Sequence, residues 1–408
     1  MLLKRGTSLL LTSIALLLGV VAVLLRSLVA TPAVAPEETS SNVAVPEPVR
    51  VSQTMDGPPT HASPASSGDG QIELLSDGDD ASEWVRLNNE TAALLENGDL
   101  EKACEGFRRC REAKPDNDIF RRNLAEALAR YSRELYKNQE LAEAIASVEE
   151  VLELAPERED SDAMRQLLSR WRVQSAVEED HWSEGSDLFT LSFDTDRRDI
   201  LHNSQDVLDH LERSYEELRL YFGADPVREM GRRPIRIVLY DSREFDRVTG
   251  LGDWAGGVFD GTVRVSVDDL RLGNWRETLK HELVHAFLHE LGGKTLPGWL
   301  NEGLAQLLEN RPSDLEQARA RLRRAGTLFE LEKLRGSLVT WTDTDAIARA
   351  YAQTLVWVDD IRLNYGDEAL RRMVRAAGEG GNVEAAFELW ATVPMSFAYQ
   401  TFTERLFQ

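Results

Sequence analysis

Short stretches of alternating apolar and polar residues predict strands in the middle of the chain. In DLFTLSFDT (187–195) apolar side chains alternate with mostly polar ones, which is typical of a strand with one buried face. PIRIVLYD (234–241) predicts a second strand. GGVFDGTVRVSV (256–267) predicts a hairpin, because the turn-forming pair Asp260-Gly261 separates two extended runs.

Helical periodicity dominates the rest of this region. Apolar residues recur at helical spacing between Ile200 and Phe222, and helical patterns continue from residue 268 to the end of the chain. Strands that come first and helices that follow are typical of an α+β domain rather than of a doubly wound sheet. We therefore expect one α+β domain over residues 187–408.

Residues 81–177 have a helical pattern throughout, and part of that pattern recurs after 41 residues. The matching positions are Ala103, Phe107 and Pro115 in the first copy and Ala144, Val148 and Pro156 in the second. A small residue, a larger one a turn later and then a proline stop resemble a tetratricopeptide helical pair, a module that commonly binds peptides or proteins. Its usual period is about 34 residues, so the second unit is expected to have a lengthened first helix. An ordinary helical bundle is the alternative.

The N-terminal region combines an apolar segment with a polar linker. The pair Lys4-Arg5 precedes an apolar run of 18 residues (8–25), which as a helix would be about 27 Å long, close to the hydrocarbon thickness of a membrane. Residues 1–30 are therefore expected to be a membrane anchor or a cleaved signal segment. The basic flank favours the cytoplasmic side, which would place the body of the protein outside the cytoplasm. Residues 31–80 are rich in Pro, Ser, Ala and acidic residues and are expected to be a disordered linker.

Charge and cysteine content exclude several classes of function. The 408 residues include 47 basic and 70 acidic side chains, a net charge of −23, which argues against nucleic acid as a partner. The two cysteines, Cys104 and Cys110, would be about 9 Å apart along a helix, beyond the reach of a disulfide. A cysteine-based metal site or disulfide scaffold is therefore not expected.

HELVHAFLHE (281–290) contains the pattern H-E-x-x-H within a predicted helix. His281 and His285 are one turn apart, so both imidazoles can reach one metal ion at about 2.0–2.1 Å. Glu282 is rotated by about 100° from His281 and can face a water molecule instead of the metal. His289 would be about 12 Å along the helix from His281, so it is assigned to packing.

The next segment, KTLPGWLNEGLAQLLEN (294–310), supplies a third ligand. A helix that starts at Pro297 would carry Glu302 across from the two histidines, after the turn at Gly292-Gly293. Glu302 is the preferred candidate. Glu309 is the fallback carboxylate, about 10 Å further along the helix.

HELVHAFLHE followed by LPGWLNEGLAQ resembles the gluzincin clan of zinc metallopeptidases, and especially bacterial proteins with a peptidase MA-like domain. The similarity extends over roughly 187–408 and is most specific at HELVH and NEGLA. The resemblance implies a zincin-like fold in which His281, His285 and Glu302 bind Zn²⁺ and Glu282 is the catalytic base. It also implies that strand 262–267 pairs with an extended substrate, if that strand lies at the sheet edge.

Two further positions follow from the comparison with gluzincins. Tyr351, in RAYAQTLVWV, is the candidate donor to the oxyanion because its segment is similar to one in the family, and a tyrosine packed in the core is the alternative. Many gluzincins have an acidic residue four positions after the glutamate ligand, where this chain has Gln306. In those proteins the acidic residue hydrogen-bonds a zinc-binding histidine without binding the metal itself. Glutamine at this position is therefore expected to affect turnover more than the fold.

These features predict a membrane-tethered zinc peptidase on the extracytoplasmic or periplasmic side, secreted if the N-terminal segment is cleaved. Its helical module would recruit a peptide or protein substrate, or a partner protein. The alternative is a weakly active or inactive adaptor, in which zinc stabilises the domain and the helical repeats bind partners. Glu282 favours the enzyme, because a purely structural zinc site needs no base beside the metal.

Overall fold

The computed structural model describes residues 73–74, 83–228, 233–251, 256–268, 270, 275–309, 312–338, 341 and 343–408. The predicted membrane segment (1–30) and nearly all of the predicted linker (31–80) lie outside these residues. Within the described ranges, none of the helices combines the length and apolar character needed to span a bilayer.

Five successive helices form an all-α module at the start of the described chain. They are α1 (Glu83–Glu96), α2 (Leu100–Ala113), α3 (Asp118–Lys137), α4 (Leu141–Leu154) and α5 (Ser161–Glu178), and each packs on the next. The small and large apolar positions of the sequence repeat are fully buried in its core: Ala103, Phe107, Ala144 and Val148. Helix α3 has 20 residues against 14 in α1, so the first helix of the second unit is the longer one. Cys104 and Cys110 are buried and unpaired.

The strands of the described residues form one mixed sheet. They are β1 (His181–Gly185), β2 (Phe189–Asp194), β3 (Ile235–Tyr240), β4 (Gly257–Phe259) and β5 (Val263–Ser266), in the spatial order β1-β2-β3-β5-β4. The β2–β3 and β3–β5 pairs are parallel, and the outer pairs β1–β2 and β5–β4 are antiparallel. The strand of the β4–β5 hairpin that lies at the edge of the sheet is therefore β4. The condition for substrate pairing by strand 262–267, a place at the sheet edge, is not met, because β5 pairs on both sides.

Helices surround this sheet, and the domain is α+β. They are α6 (Arg198–Phe222), α7 (Ser242–Thr249), α8 (Trp275–Gly292), α9 (Gly298–Glu309), α10 (Pro312–Ala325), α11 (Thr344–Tyr365), α12 (Asp367–Gly378), α13 (Val383–Ala391) and α14 (Met395–Phe407). Helix α8 is the central one, and Leu279, Leu283 and Phe287 on it are fully buried. The rings of Phe287 and Tyr215 of α6 pack edge to face at 4.8 Å.

A buried group of charged and aromatic side chains joins the helical module to the sheet. We call it the Arg264 cluster: Tyr136, Glu178, Arg236, Tyr240, Asp260 and Arg264. The Arg264 guanidinium, on β5, is 1% exposed and donates to Glu178 at 3.0 Å and to the hydroxyl of Tyr136 at 3.1 Å. Because Tyr136 belongs to α3 and Glu178 ends α5, one side chain of the sheet fastens two helices of the module.

Candidate metal centre

Helix α8 brings the two motif histidines onto one face. Its apolar residues recur every four positions and are buried, which fixes the rotation of the helix in the core. His281 and His285 then project to the same side, and their Nε2 atoms are 3.2 Å apart. The predicted helix and its histidine pair are therefore present.

Helix α9 carries Glu302 opposite this pair. A Cβ atom at Gly303 would lie 2.6 Å from the carbonyl oxygen of Thr354, so only glycine allows α9 to approach α11 this closely. The Oε2 atom of Glu302 is 3.6 Å from Nε2 of His285 and 3.9 Å from Nε2 of His281. The glycine of the NEGLA segment thus helps to position the glutamate beside it.

The three side chains can hold a metal ion. Their candidate ligand atoms all lie within 4.8 Å of one another. Two ligands of one tetrahedral ion with bonds of about 2.0–2.2 Å are about 3.3–3.6 Å apart, close to the separations of 3.2, 3.6 and 3.9 Å seen here. Oε2 of Glu302 is buried and has no hydrogen-bond partner among the described residues, and buried polar atoms seldom lack one. The geometry and the donor atoms therefore fit a metal ion.

Glu309 has a role other than that of a fallback ligand. Its Oε2 atom is 2.8 Å from Nδ1 of His281, on the ring edge that faces away from the cluster. A carboxylate in this position orients the imidazole and makes its other nitrogen a better metal ligand. Glu309 follows Glu302 by seven residues, two helical turns, so both carboxylates lie on one face of α9.

Gln306 is turned away from the histidines. Its amide nitrogen donates to the carbonyl oxygen of Tyr351 at 3.1 Å and to the hydroxyl of Thr354 at 3.0 Å, which ties α9 to α11. The acidic partner of His281 is therefore Glu309 and not the residue four positions after Glu302. The i+7 spacing on one helix face is the sequence signal that could have identified it.

Glu282 lies beside the edge strand. Its side chain is buried, and a Cβ atom at Gly257 would be 2.8 Å from its Oε1 atom. A side chain at Gly257 would displace the carboxyl group of Glu282, so glycine at the first residue of β4 lets the strand pass this close to it. The sequence argument did not identify Gly257, because the contact joins residues that belong to different elements.

The electrostatics of the cluster are those of several carboxyl groups in a small buried space. Burial raises the pKa of Glu282 to about 8 and that of Glu302 to about 7. Burial lowers the pKa of His281, but the hydrogen bond that its ring donates to Glu309 and the nearby carboxyl groups outweigh this and raise the pKa to about 9. Positive charge introduced here would lower the pKa of each of these groups.

The remaining two candidates are separated by the structure. Tyr351, on α11, is half-buried, and burial together with the nearby carboxyl groups of Glu302 and Glu282 raises its pKa well above the usual tyrosine value. His289 is exposed and packs edge-on against Phe259, with ring centroids 5.6 Å apart. Tyr351 therefore belongs to the cluster, whereas His289 does not.

Comparison with known proteins gives no assignment. A search against models of protein families finds no match, and a search of curated proteins finds none either.

Proposed function

We propose that this protein is a zinc-dependent peptidase of the gluzincin type, tethered to a membrane with its body outside the cytoplasm. The observation that carries the proposal is the convergence of His281, His285 and Glu302, with the carboxyl group of Glu282 beside them and an edge strand next to it. Two imidazoles and one carboxylate form the ligand set of catalytic zinc sites that leave a position open. The tether and its orientation rest on the apolar segment within residues 1–30 and its basic flank.

The chain's own residues provide a path for the proton. Zinc, when bound, would supply a Lewis acid that polarises a peptide carbonyl and makes a water molecule acidic enough to attack it. Glu282 takes the proton that the water loses as its oxygen bonds to the carbonyl carbon. The same carboxyl group then gives this proton to the amine nitrogen as the carbon–nitrogen bond breaks. Burial favours the first step, because it raises the pKa of Glu282 and so stabilises the protonated form that this step produces.

Substrate binding is assigned to β4 and to Tyr351. As one of the two edge strands of the described sheet, β4 can pair with an extended peptide through its backbone, next to Glu282. The hydroxyl of Tyr351 lies at the Glu302 carboxyl group, and from there it can donate to the carbonyl oxygen as negative charge develops on it. The helical module, which is fastened to β5 by the Arg264 cluster, recruits the substrate or a partner protein.

The test compares wild-type protein with Glu282→Gln, both as the full chain in detergent, on an unbiased peptide mixture read by mass spectrometry. Glu277→Gln, on the same helix outside the cluster, is the matched control. We expect wild type and the control to cleave, Glu282→Gln to be inactive, and all three to bind one zinc per chain. Removal of zinc with a chelator should abolish cleavage, and added zinc should restore it.

Two outcomes would overturn the proposal in different ways. If all three proteins bind zinc and none cleaves any peptide, the peptidase is excluded and the zinc-stabilised adaptor takes its place. If none of them binds zinc, the metal centre itself is wrong.

A further inference from the structure

Two residues of the predicted linker, Glu73 and Leu74, lie against the helical module. The backbone N–H of Glu73 donates to Oδ1 of Asn123 at 3.1 Å. Its carbonyl oxygen accepts from Nδ2 of Asn123 at 3.0 Å and from Nδ2 of Asn88 at 3.2 Å. Both backbone polar groups of Glu73 are therefore bound by asparagine side chains.

The two asparagines occupy equivalent positions. Each is the sixth residue of its helix, Asn88 in α1 and Asn123 in α3, and they are 0% and 1% exposed. Nδ2 of Asn123 also donates to Oδ1 of Asn88 at 2.9 Å. Buried amides in the middle of a helix are costly unless they are hydrogen-bonded, and the backbone of Glu73 supplies the partners of this pair. Their placement is therefore that of a site built to bind a peptide backbone.

Arg122, next to this asparagine pair, binds the side chain of Glu73. Nε and Nη2 of Arg122 donate to the two carboxylate oxygens of Glu73, each at 2.9 Å. This bidentate geometry is specific for a carboxylate, whereas the backbone contacts accept any residue. Leu74, the next residue, is 66% exposed and adds no apolar contact of comparable size. Among the described residues of this segment, the hydrogen bonds to the module are therefore made by the backbone and the acidic side chain of Glu73.

We propose that Asn88, Asn123 and Arg122 form a recognition site for an extended peptide segment that carries a glutamate. The chain's own Glu73 occupies this site in cis, and a glutamate-containing segment of a substrate or partner protein occupies it in trans. The proposal rests on the recruiting role given to the helical module in the proposed function, and it names the chemistry of what is recruited. The net charge of −23 disfavours acidic peptides in general, so the specificity has to come from these three side chains.

Because Glu73 occupies the site, another peptide can bind there only by displacing it. Glu73 precedes Glu83, the first residue of α1, by ten positions, so it stays close to its site. Short connections give effective concentrations in the millimolar range, and a peptide in trans has to compete with that. Weakening the cis contact should therefore strengthen binding in trans.

The experiment uses four versions of the full chain in detergent, all with Glu282→Gln so that no probe is hydrolysed. They carry no further change, Glu73→Arg, Arg122→Glu, or both. The probes are fluorescent peptides with the sequence of residues 68–78, GDGQIELLSDG, and the same peptide with arginine in place of its glutamate. Both substituted side chains are about half exposed, 43% and 44%, so the fold should tolerate all four versions.

We expect the glutamate probe to bind the Glu73→Arg protein at least tenfold more tightly than the parent. The Arg122→Glu protein should instead prefer the arginine probe. The double variant should bind both probes as weakly as the parent, because its cis pair is restored. Adding Asn123→Ala should weaken both probes, since the backbone contacts do not depend on the side chain.

The proposal is overturned if neither probe binds the Glu73→Arg or the Arg122→Glu protein, or if binding does not follow the exchange of charge. Because fluorescence anisotropy measures binding without hydrolysis, failure here is distinct from failure of the peptidase proposal. An active peptidase without this peptide site, or this site on an inactive protein, would each be recognised.

Discussion

Two of the buried groups of charged side chains among the described residues, the Arg264 cluster and the candidate metal centre, differ in whether the protein itself neutralises their carboxylates. In the Arg264 cluster the carboxylate of Glu178 accepts from Arg264 and Tyr240 on one oxygen and from Arg236 on the other. In the candidate metal centre of His281, His285 and Glu302, the Oε2 atom of Glu302 has no hydrogen-bond partner among the described residues. In the Arg264 cluster, arginines of the protein neutralise the carboxylates. In the candidate metal centre, a bound cation would do so.

The pKa values of the carboxyl groups follow the same division. Burial raises the pKa of Glu178, but Arg264, Arg236 and the Tyr240 hydroxyl outweigh it, so that this pKa is lower than usual. Burial also raises the pKa of Glu282 and Glu302, and there the opposing attraction does not compensate. Burial alone therefore does not distinguish a structural carboxylate from a functional one. The distinction comes from the positively charged and hydrogen-bonding side chains around each carboxylate.

The largest expected effect is on activity at the candidate metal centre. Glu282→Gln should lower turnover by about 10²–10⁴-fold, because it removes the group that transfers the proton. The unfolding midpoint should stay equal or rise, since a buried amide carries no charge. Peptide cleavage and thermal unfolding measured on the same sample test both parts. Full activity in this variant would remove Glu282 from the reaction.

The opposite result is expected in the Arg264 cluster. Arg264→Met should lower the free energy of unfolding by about 3–5 kcal/mol, because it leaves Glu178 buried without its main partner. Arg243→Met, at an exposed position on α7, is the matched control and should change stability by less than about 0.5 kcal/mol. Chemical denaturation of both variants gives the comparison. Equal stability of the two would mean that the cluster does not hold the module to the sheet.

A smaller effect is expected from the carboxylate behind His281. Glu309→Gln should weaken zinc binding by about 10–100-fold, because the amide orients the imidazole less strongly. Glu316→Gln, at an exposed position on α10, should leave zinc affinity unchanged. Competition with a chromophoric chelator measures both variants. Unchanged affinity in Glu309→Gln would show that this contact does not support the metal site.

The smallest effect is the dependence of stability on acidity. Because the pKa of Glu178 is lowered in the folded protein, its contribution to stability is present above the usual glutamate pKa of about 4.3 and is lost as the pH falls further. The difference in unfolding free energy between wild type and Glu178→Gln should therefore shrink between pH 6 and pH 3, roughly, when measured by denaturant titration. A difference that stays constant over this range would show that ionisation of Glu178 is not its source.

Local periodicity was enough to predict most of what lies within single elements. The spacing of His281, Glu282 and His285 on one helix, and of Glu302 on the next, depends only on helical geometry, and the structure brings these residues together. Strand β1 was not predicted, because HWSEG lacks a continuous buried face at the edge of the sheet. The order of β5 and β4 was not predictable either, since strand order is set by contacts distant in sequence.

The residues that sequence reasoning missed make contacts between elements. Glu309 was judged by its distance along the helix, whereas its contact depends on the rotation of α9 against α8. Arg264 and Glu178 are 86 positions apart, and Glu73 and Asn123 are 50 apart. No periodic pattern in one segment carries information about such pairs.

The Arg264 cluster also determines how this chain could be divided or recombined. A fragment that began at residue 187 would retain Arg264 and lose both Glu178 and Tyr136, together with strand β1. Exchange of the helical module for an unrelated one would require a carboxylate at the same point above β5. We therefore expect the helical module and the α+β domain to be kept or lost together in evolution.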